Sequence, residues 1–107
     1  MSKYVVFYES APNLATNAPP HLPAHIARWK AFQERGELLL IGTFGNPQDE
    51  GSMAVFTSRE AAEAFVKDDP FVLEGVVQGW TIREWREVLW PDAATPSSQG
   101  AASEAQA

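Results

Sequence analysis

The sequence predicts an α+β fold with the element order β-α-β-β-α-β, and three observations carry that prediction. Four short segments rich in β-branched and aromatic residues alternate with two stretches of helical periodicity. The first three of those strand-like segments are apolar at successive positions, so both of their faces are apolar. The chain has 107 residues, enough for one domain and not two.

The elements follow in order. Residues 3–9 carry Tyr4, Val5, Val6, Phe7 and Tyr8 in succession and read as the first strand. Residues 10–20 hold Pro12, Asn13, Asn17, Pro19 and Pro20, the composition of a loop. Across 22–35, Leu22, Ile26, Trp29 and Phe32 recur at three- and four-residue steps, which is the helical period. Pro23 fits the first helical turn, where a missing N–H breaks no intrahelical bond, and Gly36 supplies the C′ residue. Residues 38–44 form the second strand, 46–51 a polar hairpin loop and 52–57 the third strand. Ser58 is a natural N-cap for a second helix, with Glu60 and Glu63 in its favourable early turns. Asp69-Pro70 breaks that helix, and residues 71–76 form a turn or helical hook. The fourth strand, 77–87, carries Trp80, Ile82 and Trp85. No internal repeat is present.

This order is the ferredoxin-like split βαβ motif: a four-stranded antiparallel sheet with two helices on one face. Strand one sets Tyr4, Val6 and Tyr8 against Val5 and Phe7, and strand three sets Met53 and Val55 against Ala54 and Phe56. Strict alternation in strand two puts Leu38, Leu40 and Phe44 on one face and Leu39 and Ile41 on the other. Two helices cover one face only, and a solvated second face would alternate with polar residues. A second copy of the sheet is the simplest cover, which gives a homodimer of the dimeric α+β barrel kind.

Composition narrows the function. Net charge is −6, and the eight Lys and Arg residues are scattered, so no basic stripe exists to displace counterions from nucleic acid or to bind an anionic membrane. The absence of cysteine removes disulfides, thiol catalysis and thiolate metal ligands. No run approaches the length of a membrane span, and the strand pattern begins at the N-terminus without room for a signal peptide, so a cytoplasmic protein is expected. Residues 92–107 lack any large apolar side chain and read as a disordered tail, leaving residues 1–91 as the domain. Phosphate loops, Rossmann glycines and a nucleophile elbow do not occur, and two histidines with scattered acids make no metal spacing.

His25 lies three residues after Leu22 and four before Trp29, on the buried side of the first helix. A lone histidine there reads either as a satisfied core residue or as a functional one. His21, between the proline pair and the helix, reads as a loop or cap residue. The topology favours a role for His25: it sits in the first turn of helix one, and Asp69 closes helix two, so the fold brings both to one end of the molecule. A carboxylate on one imidazole nitrogen fixes the tautomer and makes the other nitrogen a better base. Asp69 also reads as a plain cap and turn starter. Thr43 and Phe44, at the end of strand two, lie at the same end. Tyr8 points towards it or away, depending on register. Arg28, one turn after His25, reads as an anion-binding group or as a solvated helix residue.

Three segments in this order carry a family resemblance: Pro23-Ala24-His25-Ile26-Ala27-Arg28, Gly36-Glu37-Leu38-Leu39-Leu40-Ile41-Gly42 and Asp68-Asp69-Pro70-Phe71. The chain resembles the YciI-like proteins over residues 3–90. The resemblance implies a dimeric α+β barrel and a His–Asp pair at His25 and Asp69. It also implies relatedness to muconolactone isomerase-like proteins and to a dehydrochlorinase of hydroxyquinones that moves protons without metal or organic cofactor. Gly42-Thr43-Phe44 departs from the Gly-Pro that many relatives have there, and the loop rich in Pro and Asn after strand one implies a different pocket. Two readings follow. One is a cofactor-free lyase or isomerase acting on a small aromatic or enolisable compound, with His25 as base, Asp69 orienting it, and Arg28, Tyr8, Thr43 and Phe44 around the substrate. The other is a dimeric module that binds a small ligand or serves a partner without turnover. A quinol oxygenase of the barrel type is a third option.

Overall fold

The computed structural model describes residues 2–89. The expected tail and Trp90 lie outside the described residues. Strand β1 (Lys3–Ser10) leads through a one-turn helix α1 (Leu14–Asn17) and a 3-10 turn (Pro19–His21) into α2 (Leu22–Glu34). Then come β2 (Leu38–Thr43), the one-turn α3 (Pro47–Glu50), β3 (Ser52–Phe56), α4 (Arg59–Asp68), the one-turn α5 (Pro70–Leu73) and β4 (Val77–Trp85). The strands form one sheet in the order β2-β3-β1-β4, antiparallel at every pairing. This is the ferredoxin-like α+β fold the sequence predicts.

Local chemistry explains the boundaries. Helix α2 ends in a Schellman motif: Gly36, at φ 78°, donates its N–H to Gln33 O at 2.9 Å, and the Glu37 N–H reaches Phe32 O at 3.0 Å. At the start of α4 the Ser58 hydroxyl accepts the Ala61 N–H at 3.0 Å. The core lies between the sheet and the helices, where Val6, Ala54 and Phe56 meet Phe32 of α2 and Ala61, Ala62, Phe65 and Val66 of α4. Phe65 packs edge-on to Phe32 with centroids 5.3 Å apart and tilts against Phe56 at 5.2 Å.

Two expectations are corrected. The connections 10–20 and 46–51 are not irregular: Asn13 and Asn46 each precede a single helical turn. In β2 a bulge falls between Leu38 and Leu40, because Leu38 pairs with Phe56 and Leu40 with Val55. Ile41 consequently shares the helix-covered face with Leu38, and Leu40 turns to the other face, 60% exposed. Trp80 and Trp85 are about half exposed, at 47% and 48%.

The second face of the sheet carries an apolar patch. Val5 and Val55 are buried there among the half-buried Phe7 and Met53 and the exposed Leu40 and Trp85. Strand β4 makes this face more polar than the first three strands foretell, contributing Thr81 and Arg83 by register. The ion pair of Lys3 with Glu87 closes one end of the patch. No described helix is long and apolar enough to cross a membrane.

Candidate active site

The end of β1, the start of α2 and the junction of α4 with α5 meet at one end of the molecule, and each delivers one polar side chain. Asp69 is the residue on which the others converge. It caps α4, holds an extended backbone before Pro70, and starts α5 by accepting the Phe71 N–H on Oδ1 at 3.2 Å. Its role as a cap and its place in the site are therefore one arrangement, not alternatives. The side chain is fully buried. His25, in the first turn of α2, places Nδ1 2.8 Å from Asp69 Oδ1, and Tyr8 donates its hydroxyl to Asp69 Oδ2 at 2.6 Å. A carboxylate stripped of water needs such donors, and here it has three.

The carboxylate accepts from Nδ1, so the tautomer that fits carries its proton there and leaves Nε2 with a lone pair. Nε2 has no hydrogen-bond partner among the described residues, and it is not sealed off in the way that Glu87 Oε1 is. The ring is held flat against Phe71, with centroids 3.9 Å apart and planes 5° from parallel. The edge of Phe65 closes another side. Tyr8 is held protonated: burial, first, and then the Asp69 charge and the hydrogen bond to it push its hydroxyl pKa well above the ordinary tyrosine value.

A cleft of about 320 Å³ opens beside this cluster. Leu22, Ile26 and Trp29 of α2 form one wall, Val6, Ile41 and Ala54 of the sheet the other, and Phe71, Val76 and Val77 the base. Leu14 of α1 and Pro47 of α3 stand at its edge. The two connections that carry them are tied by Gln48, which accepts the Leu14 N–H at 2.8 Å and donates to Ala11 O at 2.9 Å. Among the described residues no group of three or more His, Cys, Asp and Glu could hold a metal ion.

The structure brings His25, Asp69 and Tyr8 together and places Thr43 in the cleft lining. It does not bring Arg28 there. The guanidinium lies across Phe32 and Phe65 and donates to two main-chain carbonyls of α4, Nε to Phe65 O at 3.1 Å and Nη2 to Ala64 O at 2.6 Å. Arg28 is therefore outside the cleft lining and holds α2 against α4. Phe44 is exposed and outside the lining. The sequence reading missed Phe71 as the platform for His25, although its place two residues after Asp69 was the available signal. It also missed the Gln48 tie, for which the sequence offers no signal.

The chain is 27% identical to Protein YciI of Escherichia coli O6:H1, over 80% of this chain and 98% of the relative, and equally to Protein YciI of Shigella flexneri. Among solved structures it resembles a 5-chloro-2-hydroxyhydroquinone dehydrochlorinase from Burkholderia phenoliruptrix AC1100 in complex with 2,5-dihydroxybenzoquinone. That match has a TM-score of 0.61 at 19% identity and covers 79% of this chain and 94% of the other, a likeness of fold. The model of the YCII-related domain matches residues 2–86, so the chain belongs to the YCII-related family.

Proposed function

We propose that this YCII-related protein is a lyase or isomerase that moves a proton on a small aromatic or enolisable compound. One observation carries the reading: a buried carboxylate holds His25 by Nδ1 and leaves Nε2 open to an apolar cleft. Nε2 takes a proton from a ring hydroxyl or from a carbon next to a carbonyl. The electron pair left behind moves into the ring or enolate, and the His25 imidazolium returns the proton to a carbon, which completes an isomerisation; where that carbon, now saturated, bears a leaving group, removal of a second proton expels it. Asp69 stabilises that imidazolium through the Nδ1 bond, and Phe71 keeps the ring from turning. The step needs neither metal nor organic cofactor.

Hydroxylated rings, including 5-chloro-2-hydroxyhydroquinone, are the first compounds to assay, with chloride release and ultraviolet spectra as readouts. His25→Ala should keep the far-ultraviolet circular dichroism spectrum and lose turnover; turnover retained in that variant rejects the reading. A second reading, a ligand-binding module without turnover, is favoured by one observation: the Tyr8 and Ser10 hydroxyls beside the cleft are both spent, on Asp69 Oδ2 and Pro47 O. Ligand binding that survives His25→Ala with no product from any compound supports that alternative.

The proposal includes pairing. The patch of Val5, Phe7, Met53, Val55, Leu40 and Trp85 is larger than isolated surface apolar residues account for, and a second copy of the same sheet would cover it. Sedimentation equilibrium should give twice the chain mass of 11.8 kDa; a stable monomer at micromolar concentration rejects the pairing.

A further inference from the structure

We infer that the cleft takes an uncharged hydroxylated ring and rejects a carboxylated analogue of the same shape. The inference deepens the proposed function and rests on its cleft, but not on turnover. Among the described residues no Lys, Arg, Asp or Glu lines the cleft. The one cation expected there from sequence, Arg28, is committed to the carbonyls of Ala64 and Phe65. Behind His25 stands the fully buried Asp69 carboxylate, whose oxygens already take three donors. An arriving anion would therefore lose water, find no counter-charge among the lining side chains, and face a buried negative charge.

A neutral hydroxylated ring meets none of these costs. Its negative charge appears only when His25 Nε2 accepts a proton, so it forms beside the imidazolium that balances it. Its faces suit the apolar walls of Ile26, Trp29 and Ile41. Further hydroxyls have partners too: Thr43 and Ser52 pair across β2 and β3, line the cleft and sit at its more exposed edge. The volume of about 320 Å³ is near the lower end of the roughly 300–1,000 Å³ usual for small-molecule clefts, which suits a one-ring compound.

The test is an NMR titration of the full ¹⁵N-labelled chain at pH 7 with three probes of one shape: 4-methylcatechol, methyl 3,4-dihydroxybenzoate and 3,4-dihydroxybenzoate. The two neutral compounds should bind at least about tenfold tighter than the carboxylate. Their shift changes should cluster on Leu22, His25, Trp29 and Phe71. Equal or tighter binding of the carboxylate overturns the inference, as does failure of both neutral compounds to bind or shift changes confined to other surfaces. Selective binding without turnover of any assayed compound rejects the lyase or isomerase reading and leaves this inference standing. Turnover of neutral and carboxylated analogues at equal kcat/KM does the reverse.

Discussion

Replacing Tyr8 by Phe removes one oxygen and leaves the ring. The packing of β1 against the helices is kept, so any effect comes from the bond to Asp69. Asp69, a residue with no solvent exposure, then loses the hydroxyl donor that its Oδ2 has at 2.6 Å. A hydrogen bond to a charged group contributes about 1.5–3 kcal/mol. For a domain this size that is roughly 6–24 °C in Tm. The effect also depends on pH in a definite direction. The folded protein holds the Tyr8 proton above the ordinary tyrosine pKa of 10.0, while the unfolded chain releases it near that value. Above pH 10 the unfolded state thus binds one proton fewer, and unfolding becomes easier by about 1.4 kcal/mol per pH unit from this group alone. Tyr8→Phe lacks that loss. The gap between wild type and variant should therefore be widest below pH 10 and narrow as pH rises beyond it. Urea unfolding at pH 7, 10 and 11 measures this. Equal stabilities at pH 7, or parallel slopes above pH 10, would refute the reasoning.

Three further outcomes follow from particular contacts. Gly51→Ala should cost about 3 kcal/mol in urea unfolding, because a Cβ there, at φ 76°, would stand 2.0 Å from the Tyr8 carbonyl oxygen and push on the strand that carries the site residue. Ser58→Ala should cost about 1 kcal/mol through the lost cap of α4, read as a lower urea midpoint at unchanged m-value. Gln48→Ala releases the tie between the two connections at the cleft edge. It should cost about 1 kcal/mol or less, since water can replace an exposed partner, yet should speed amide exchange at Leu14 clearly.

Much of this was legible in the sequence because it depends on period and order. The helical step from Leu22 to Phe32, the cap at Ser58 and the stop at Gly36 are local signals. The meeting of His25 with Asp69, 44 positions apart, follows once the element order fixes which helix ends share one end of the sheet. Register is where legibility stopped. Tyr8 could face in or out until its pairing with Ser52 and Trp80 was known. The bulge in β2 interrupts the period of two, so alternation assigned Leu40 and Ile41 to the wrong faces. Arg28 was misjudged for a different reason: its partners are main-chain carbonyls of another helix, and carbonyls leave no mark on a sequence.

The central claim is that Asp69 holds the His25 imidazole by Nδ1 and leaves Nε2 free to accept a proton. Long-range ¹⁵N–¹H correlation spectra of the imidazole at pH 8 test it most directly. The expected result is a neutral ring with its proton on Nδ1 and an Nε2 resonance that moves when a neutral catechol binds. A ring protonated on Nε2, alone or together with Nδ1, would contradict it.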